Sequence, residues 1–358
     1  MKKAIIALAL IVLSVAIFLT ACSSPKSEFM ASFRNIVKNK QYTTALTLQP
    51  VEVSGFKELQ LLNPKALTSS HLTVKTSRDT ERDLTYNTFG VHVGGVPAMD
   101  LTAHSFQNGS TGKIFIPAND FFQTTAPVTN VLDLVTDSVY SKVRSENEDL
   151  KGKHIDLLQT IQNVSGQIID EKTVEEQAGQ LQAIERKTAF LIYKHLDNLD
   201  KSHYQTVNKT IKLTLNKKEL AELANAWLEE FYSDHDFISL YAEIYGLTES
   251  QAKATWTVNN KGMQQRLKNL IQNKDIQLNT VMTLQPDSDK GIKKLVTGVN
   301  YVNQEDQQKL KFNFTIDFLD FEKIPTSPNK ADIITKKELD DLMIDVIRAQ
   351  RKYTKNSR

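Results

Sequence analysis

The sequence predicts an α+β fold: a curved antiparallel sheet built from an N-terminal and a C-terminal block of strands and covered by a large central helical block. Three observations carry this reading. Residues 41–117 and 276–322 alternate apolar and polar side chains and are rich in Thr, Val, Tyr and Phe, the pattern of half-buried strands. Residues 127–272 instead repeat apolar side chains every three or four positions, the period of amphipathic helices. The strands cluster in runs rather than alternating singly with helices, which argues against the parallel βα units of solute-binding proteins.

Taken in order, the chain opens with Lys2 and Lys3, an apolar run over 4–19 broken only by Ser14, and the tetrapeptide Leu19-Thr20-Ala21-Cys22. Such a run is short for a membrane span and fits a removed targeting peptide. The tetrapeptide resembles the lipobox of bacterial lipoproteins, and the alternative is an ordinary signal peptide with a chance cysteine. The resemblance implies that residues 1–21 are a signal peptide. It also implies that Cys22 carries diacylglycerol (a palmitate-type lipidation), and that the protein is anchored on the extracytoplasmic face of the cell membrane. The chain has 44 Lys+Arg against 42 Asp+Glu, so loss of Lys2 and Lys3 leaves the mature chain formally neutral. That balance offers no electrostatic footprint for nucleic acid. Cys22 is the one cysteine of the chain. Once acylated, it leaves no thiol for a disulfide, a metal site or a nucleophile.

Residues 22–28 read as an acylated polar tether, followed by a body over 29–325. Phe29, Phe33, Ile36 and Val37 recur at helical spacing and predict a first helix. Over 41–117 the pairs Leu72/Val74, Leu84/Tyr86, Val91/Val93 and Ile114/Ile116 and the triplet Met99/Leu101/Ala103 predict a meander of five or six strands. Gly94-Gly95, Asn108-Gly109 and the charged run 78–83 supply the turns. Helices are predicted over 131–143, 181–199, 217–232 with Asn216 as cap, 236–245, 248–256 and 261–272, with one strand at 210–215 between them. Strands return at 276–322, where Leu310, Phe312, Phe314, Ile316 and Phe318 alternate strictly with polar residues. A last helix over 336–351 and a basic tail complete a 326–358 segment. Thr47-Leu48-Gln49-Pro50 recurs as Thr283-Leu284-Gln285-Pro286, either a trace of two related halves or a coincidence of common residues.

Chemistry is sparse. The seven histidines lack zinc-protease spacing, and no nucleophile elbow, phosphate loop or dinucleotide fingerprint occurs. No catalytic residue, metal ligand or cofactor is therefore assigned. Asp234-His235-Asp236 reads as a polar break between helices, and Ser23-Ser24-Pro25-Lys26, formally a Ser-x-x-Lys spacing, as tether. The aromatic stretch Trp227, Phe231, Tyr232, Phe237, Tyr241, Tyr245 and Trp256 reads either as core or as the wall of an apolar cavity. In the second case Phe312, Phe314 and Phe318 of the sheet face it, and the cavity candidates are Trp227, Phe231, Tyr241, Tyr245, Phe312, Phe314 and Phe318.

A first helix, a block of strands, a helical block and more strands resembles the element order of LolA/LppX-like envelope lipoproteins, with a helical block larger than theirs. The resemblance implies an incomplete, curved β-barrel closed by helices, whose apolar hollow holds lipid or acyl chains. Two functional readings follow. One is a non-enzymatic lipoprotein binding a lipid or amphiphile between the sheet and the 217–256 helices. The other is an accessory lipoprotein that docks on an envelope protein and has no small-molecule ligand.

Overall fold

Alternating sequence becomes one sheet because both strand blocks share a single apolar face. The computed structural model describes residues 24–38, 40–56, 64–94, 99–109, 111–118, 120, 152–157, 171–289, 291–335, 337, 338, 341 and 344. The signal peptide, Cys22, the helix expected over 131–143 and most of the final helix lie outside these residues.

The strands are β1 (Gln41–Ser54), β2 (His71–Asp79), β3 (Leu84–Val93), β4 (Met99–Asn108), β5 (Ile114–Pro117), β6 (His154–Asp156), β7 (Tyr204–Val207), β8 (Thr210–Asn216), β9 (Ile276–Asp287), β10 (Gly291–Asn303) and β11 (Gln308–Leu319). They form one curved, unclosed antiparallel sheet in the order β6-β5-β4-β3-β2-β1-β11-β10-β9-β8-β7. Two meanders, β1–β6 and β7–β11, are thus fused along a seam from Thr43 opposite Leu319 to Ser54 opposite Lys309. Both Thr-Leu-Gln-Pro copies lie in the first strand after a helix, β1 and β9, and Pro50 adjoins a register shift in β1.

The helices are α1 (Pro25–Lys38), α2 (Pro64–Ser69), α3 (Glu171–Asn198), α4 (Lys217–Glu230), α5 (His235–Tyr245) and α6 (Glu249–Gln272). Asn216 caps α4 with a full capping box. Three differences from the sequence reading have physical causes. The tether expected over 22–28 already turns into helix at Pro25, a residue suited to a first helical turn. Lys26 Nζ donates to the carbonyls of Asp197 and Leu199 and ties that turn to the end of α3. The helices expected at 248–256 and 261–272 are one helix, since the polar Asn260 is buried and donates to the Leu228 carbonyl instead of breaking α6.

The third difference concerns the end of the body. Beyond Leu319 the chain leaves the sheet as a strap. The Glu322 amide donates to Thr43 Oγ1 at 2.8 Å, its carboxylate pairs with Lys75, and the Ile334 amide donates to the His154 carbonyl on β6. The packed body therefore continues past 325, with Ile334 buried.

Cross-strand register defines a helix-side face and an outer face. On the β7–β11 half the helix-side residues Ile211, Leu213, Leu215, Leu278, Met282, Leu284, Leu295, Val299 and Phe318 are buried. They form one core with Phe29 and Phe33 of α1, Ile192 and Leu196 of α3, and Leu220 and Leu223 of α4. The outer face of the same half carries the charges, paired across strands as Lys294–Asp317 and as Lys309 and Lys311 with Glu52.

Candidate ligand-binding face

The aromatic residues singled out in the sequence fall into two separate cores. Trp227, Phe231, Tyr241 and Trp256 pack with Phe237 among α3, α4, α5 and α6. Trp227 and Phe231 lie 4.7 Å apart, Phe237 and Trp256 4.6 Å, and Tyr241 lies tilted against Tyr245 at 4.6 Å. The indole donors are satisfied internally, Trp227 by Thr188 Oγ1 and Trp256 by the Phe231 carbonyl. Tyr245 is exposed at the end of α5. Phe312, Phe314 and Phe318 sit on the sheet, with Phe312 and Phe318 in the other core alongside α1, α3 and α4. The structure does not bring these two sets together. Leu220, Leu223 and Ala224 fill the space between α4 and the sheet.

The apolar surface that remains open lies on the other half of the same face. Register places Tyr42, Thr44, Leu46, Leu48 and Pro50 of β1 beside Arg78, Thr76, Val74 and Leu72 of β2. Next come Thr85, Asn87, Phe89, Val91 and Val93 of β3, then Gln107, Ser105, Ala103 and Leu101 of β4. Each of the four strands runs from polar to apolar in the same direction across the sheet. The apolar rows continue without interruption into the helix-covered half, as Ala103–Phe89–Val74–Leu46–Ile316–Leu295–Leu284 and Leu101–Val91–Leu72–Leu48–Phe314. Among the described residues the long helices pack on the β7–β10 side. Leu72 stays 37 % exposed, Phe89 38 % and Val93 38 %.

The polar end is organised. Asn87 Oδ1 accepts from Thr76 Oγ1 at 2.8 Å, and Asn87 Nδ2 donates to Ser105 Oγ at 3.3 Å, forming a ladder over β2, β3 and β4. Arg78 stands one step beyond it. The sequence reading put Arg78 in a charged turn, but β2 runs through Asp79. Asp79 Oδ1 accepts from the amides of Glu81 and Arg82 and thereby builds the turn one residue later. The pair Leu84/Tyr86 likewise lies on the outer face, opposite in parity to Val91/Val93. Neither the gradient nor Arg78 was visible without the register.

Several titratable groups elsewhere have structural partners. Asp234 caps α5 by accepting from the Phe237 amide, and it pairs with Lys187, which also reaches Asp236. On the outer face His92 Nδ1 meets Asp100 at 2.6 Å with His71 stacked on His92, and His104 Nδ1 meets Asp120 at 2.6 Å. Burial holds the imidazoles of His154 and His195 below their ordinary pKa. Among the described residues no group of three His, Cys, Asp or Glu side chains is arranged to hold a metal ion, and no helix is long and apolar enough to cross a membrane. No protein-family model matches the chain, and neither a curated protein nor a solved structure shows significant similarity to it.

Proposed function

We propose that this chain is a membrane-anchored extracytoplasmic lipoprotein, attached through diacylglycerol on Cys22, that binds a lipid or other amphiphile without catalysing a reaction. The ligand lies on the helix-side face of β1–β4. The observation that carries the reading is the gradient on that face: Leu72, Phe89 and Val93 open to solvent at one end, the Thr76–Asn87–Ser105 ladder at the other. Contiguous exposed apolar surface of this kind marks an interaction site. A polar border along one side suits a molecule with a head and a tail. The likeness in element order to LolA/LppX-like lipoproteins, which hold acyl chains against an unclosed sheet, points the same way.

Native mass spectrometry of the full chain, released from membranes and freed of detergent, is the test. The expected spectrum carries one amphiphile beyond any covalently attached lipid. The exposure of Leu72, Phe89 and Val93 also favours a second reading, a docking surface for an envelope protein. A protein mass without amphiphile, together with one dominant crosslinked partner in cells through residue 89, would replace the first reading by the second.

A further inference from the structure

Resting on that ligand-face reading, we propose that the bound amphiphile is anionic and that Arg78 is the counter-ion for its head group. Across all eleven strands, Arg78 is the one charged side chain at a paired helix-side position. Lys75, Glu52, Lys294, Lys309, Lys311 and Asp317, by contrast, stand on the outer face and are paired there. Arg78 has no ion pair among the described residues, and its Nε is buried without a hydrogen-bond partner. A guanidinium stays charged at any physiological pH and is costly to withdraw from water without a counter-charge. Its planar fork matches a carboxylate or a phosphate, two anionic heads common among natural amphiphiles.

The position fits the length of an acyl chain. Arg78 and Leu72 are six residues apart on β2, about 20 Å at ~3.3 Å per residue. One acyl chain spans about half of a ~30 Å hydrocarbon core. A head held at Arg78 therefore lays its first carbons beside Thr76 and its tail over Val74, Leu72, Phe89 and Val91. Beside those first carbons the Thr76 hydroxyl, which donates to Asn87, remains able to accept, and the Ser105 hydroxyl, which accepts from Asn87, remains able to donate, to a glycerol or water.

The test uses the full chain stripped of bound lipid and preloaded with the uncharged fluorophore N-phenylnaphthylamine. Three competitors share one acyl chain: oleate with a carboxylate, oleoyl lysophosphatidylglycerol with a phosphodiester, and monoolein with no charge. At least one anionic competitor should displace the fluorophore about tenfold more tightly than monoolein, the tighter of the two identifying the head. Arg78→Gln should abolish that preference, bringing the anionic competitors to the level of monoolein, and Arg78→Lys should keep part of it. Equal binding of all three by the unaltered protein overturns the proposal, as does a preference that survives Arg78→Gln. If Arg78→Gln does not fold, the unaltered protein decides through salt: added NaCl should weaken the anionic competitors alone, and uniform weakening or none overturns the proposal. Failure of all three to displace the fluorophore refutes the ligand face itself, separately from the role of Arg78.

Discussion

Phe89→Ala separates a ligand surface from an incidental apolar patch, because Phe89 lies on the helix-side face of β3 with 38 % of its surface open. A phenylalanine buries about 200 Å² when fully covered, so about 75 Å² remains for a ligand to cover. At about 25 cal/mol per Å² that area is worth about 2 kcal/mol, or roughly a thirtyfold loss of affinity on truncation. The already covered part of the ring, about 125 Å², limits the loss of fold stability to at most about 3 kcal/mol by the same coefficient. Truncating the fully buried Phe231, by contrast, costs about 3–5 kcal/mol. Monoolein displacement of N-phenylnaphthylamine measures the affinity, and thermal unfolding followed by circular dichroism measures the stability. Val207→Ala is the control, since Val207 is 45 % exposed but on the outer face of β7. Affinity within about twofold of the unaltered protein in a folded Phe89→Ala chain refutes the placement of the ligand. An equal loss in Val207→Ala would show that the assay reads general stickiness.

Acid should destabilise the fold through its buried imidazoles. In His195 burial lowers the pKa from 6.5, against the opposing pull of Glu222 and Glu219, and in His154 burial does the same against Asp332 and Asp120. The unfolded chain therefore binds these protons more readily, so the neutral imidazoles' contribution is complete above about pH 6.5 and is lost as pH falls toward the folded values. The His154→Gln/His195→Gln double variant should show a flatter melting temperature between about pH 7 and pH 5. Asp234→Ala removes the α5 cap and should lower stability by about 1 kcal/mol, whereas Asp234→Asn retains the cap and loses the Lys187 pair alone. Thermal melts of the two variants distinguish cap from charge. Cys22→Ala should move the chain from the detergent phase to the aqueous phase in detergent partitioning and remove the diacylglyceryl mass.

Periodicity carried the sequence reading where one element faces one environment. The strict alternation of β11, the Asn216 cap and the amphipathic stripe of α4 each appear in the structure at the expected residues. So does the joining of the two strand blocks, because their apolar faces have no other large surface to share. Elements that lack a local turn signal, and side chains whose face depends on the register, were not legible. The β7–β8 hairpin turns through Asn208 and Lys209, both at positive φ, without the Asn-Gly pair that usually announces such a turn. Arg78 looked like part of a charged loop because its neighbours Asp79, Glu81 and Arg82 belong to the turn. Only the pairing of β2 with β1 and β3 assigns Arg78 to the opposite face from Asp79. The aromatic cluster around Trp227 misled for a related reason. Composition shows that rings gather, but not whether they gather against the sheet or against one another.

Geometry also bears on how the proposed anchor would hold the ligand face. Pro25 is the first residue of α1, and three residues of chain reach about 11 Å at most, so an acylated Cys22 would lie within that distance of α1. The helix itself is fixed at both levels of its first turns: Lys26 donates to the last carbonyls of α3, and Phe29 and Phe33 are buried against β7–β10. A flexible stalk would let the body turn freely above the bilayer. A helix starting this close to the proposed anchor would instead couple the orientation of the sheet to the membrane plane. Loosening that coupling, as with Lys26→Ala and a glycine-serine insertion before Pro25, should leave monoolein affinity unchanged in solution, because neither change touches β1–β4. It should slow transfer of a bound amphiphile to vesicles if orientation governs exchange. Equal transfer rates would show that the anchor serves retention alone.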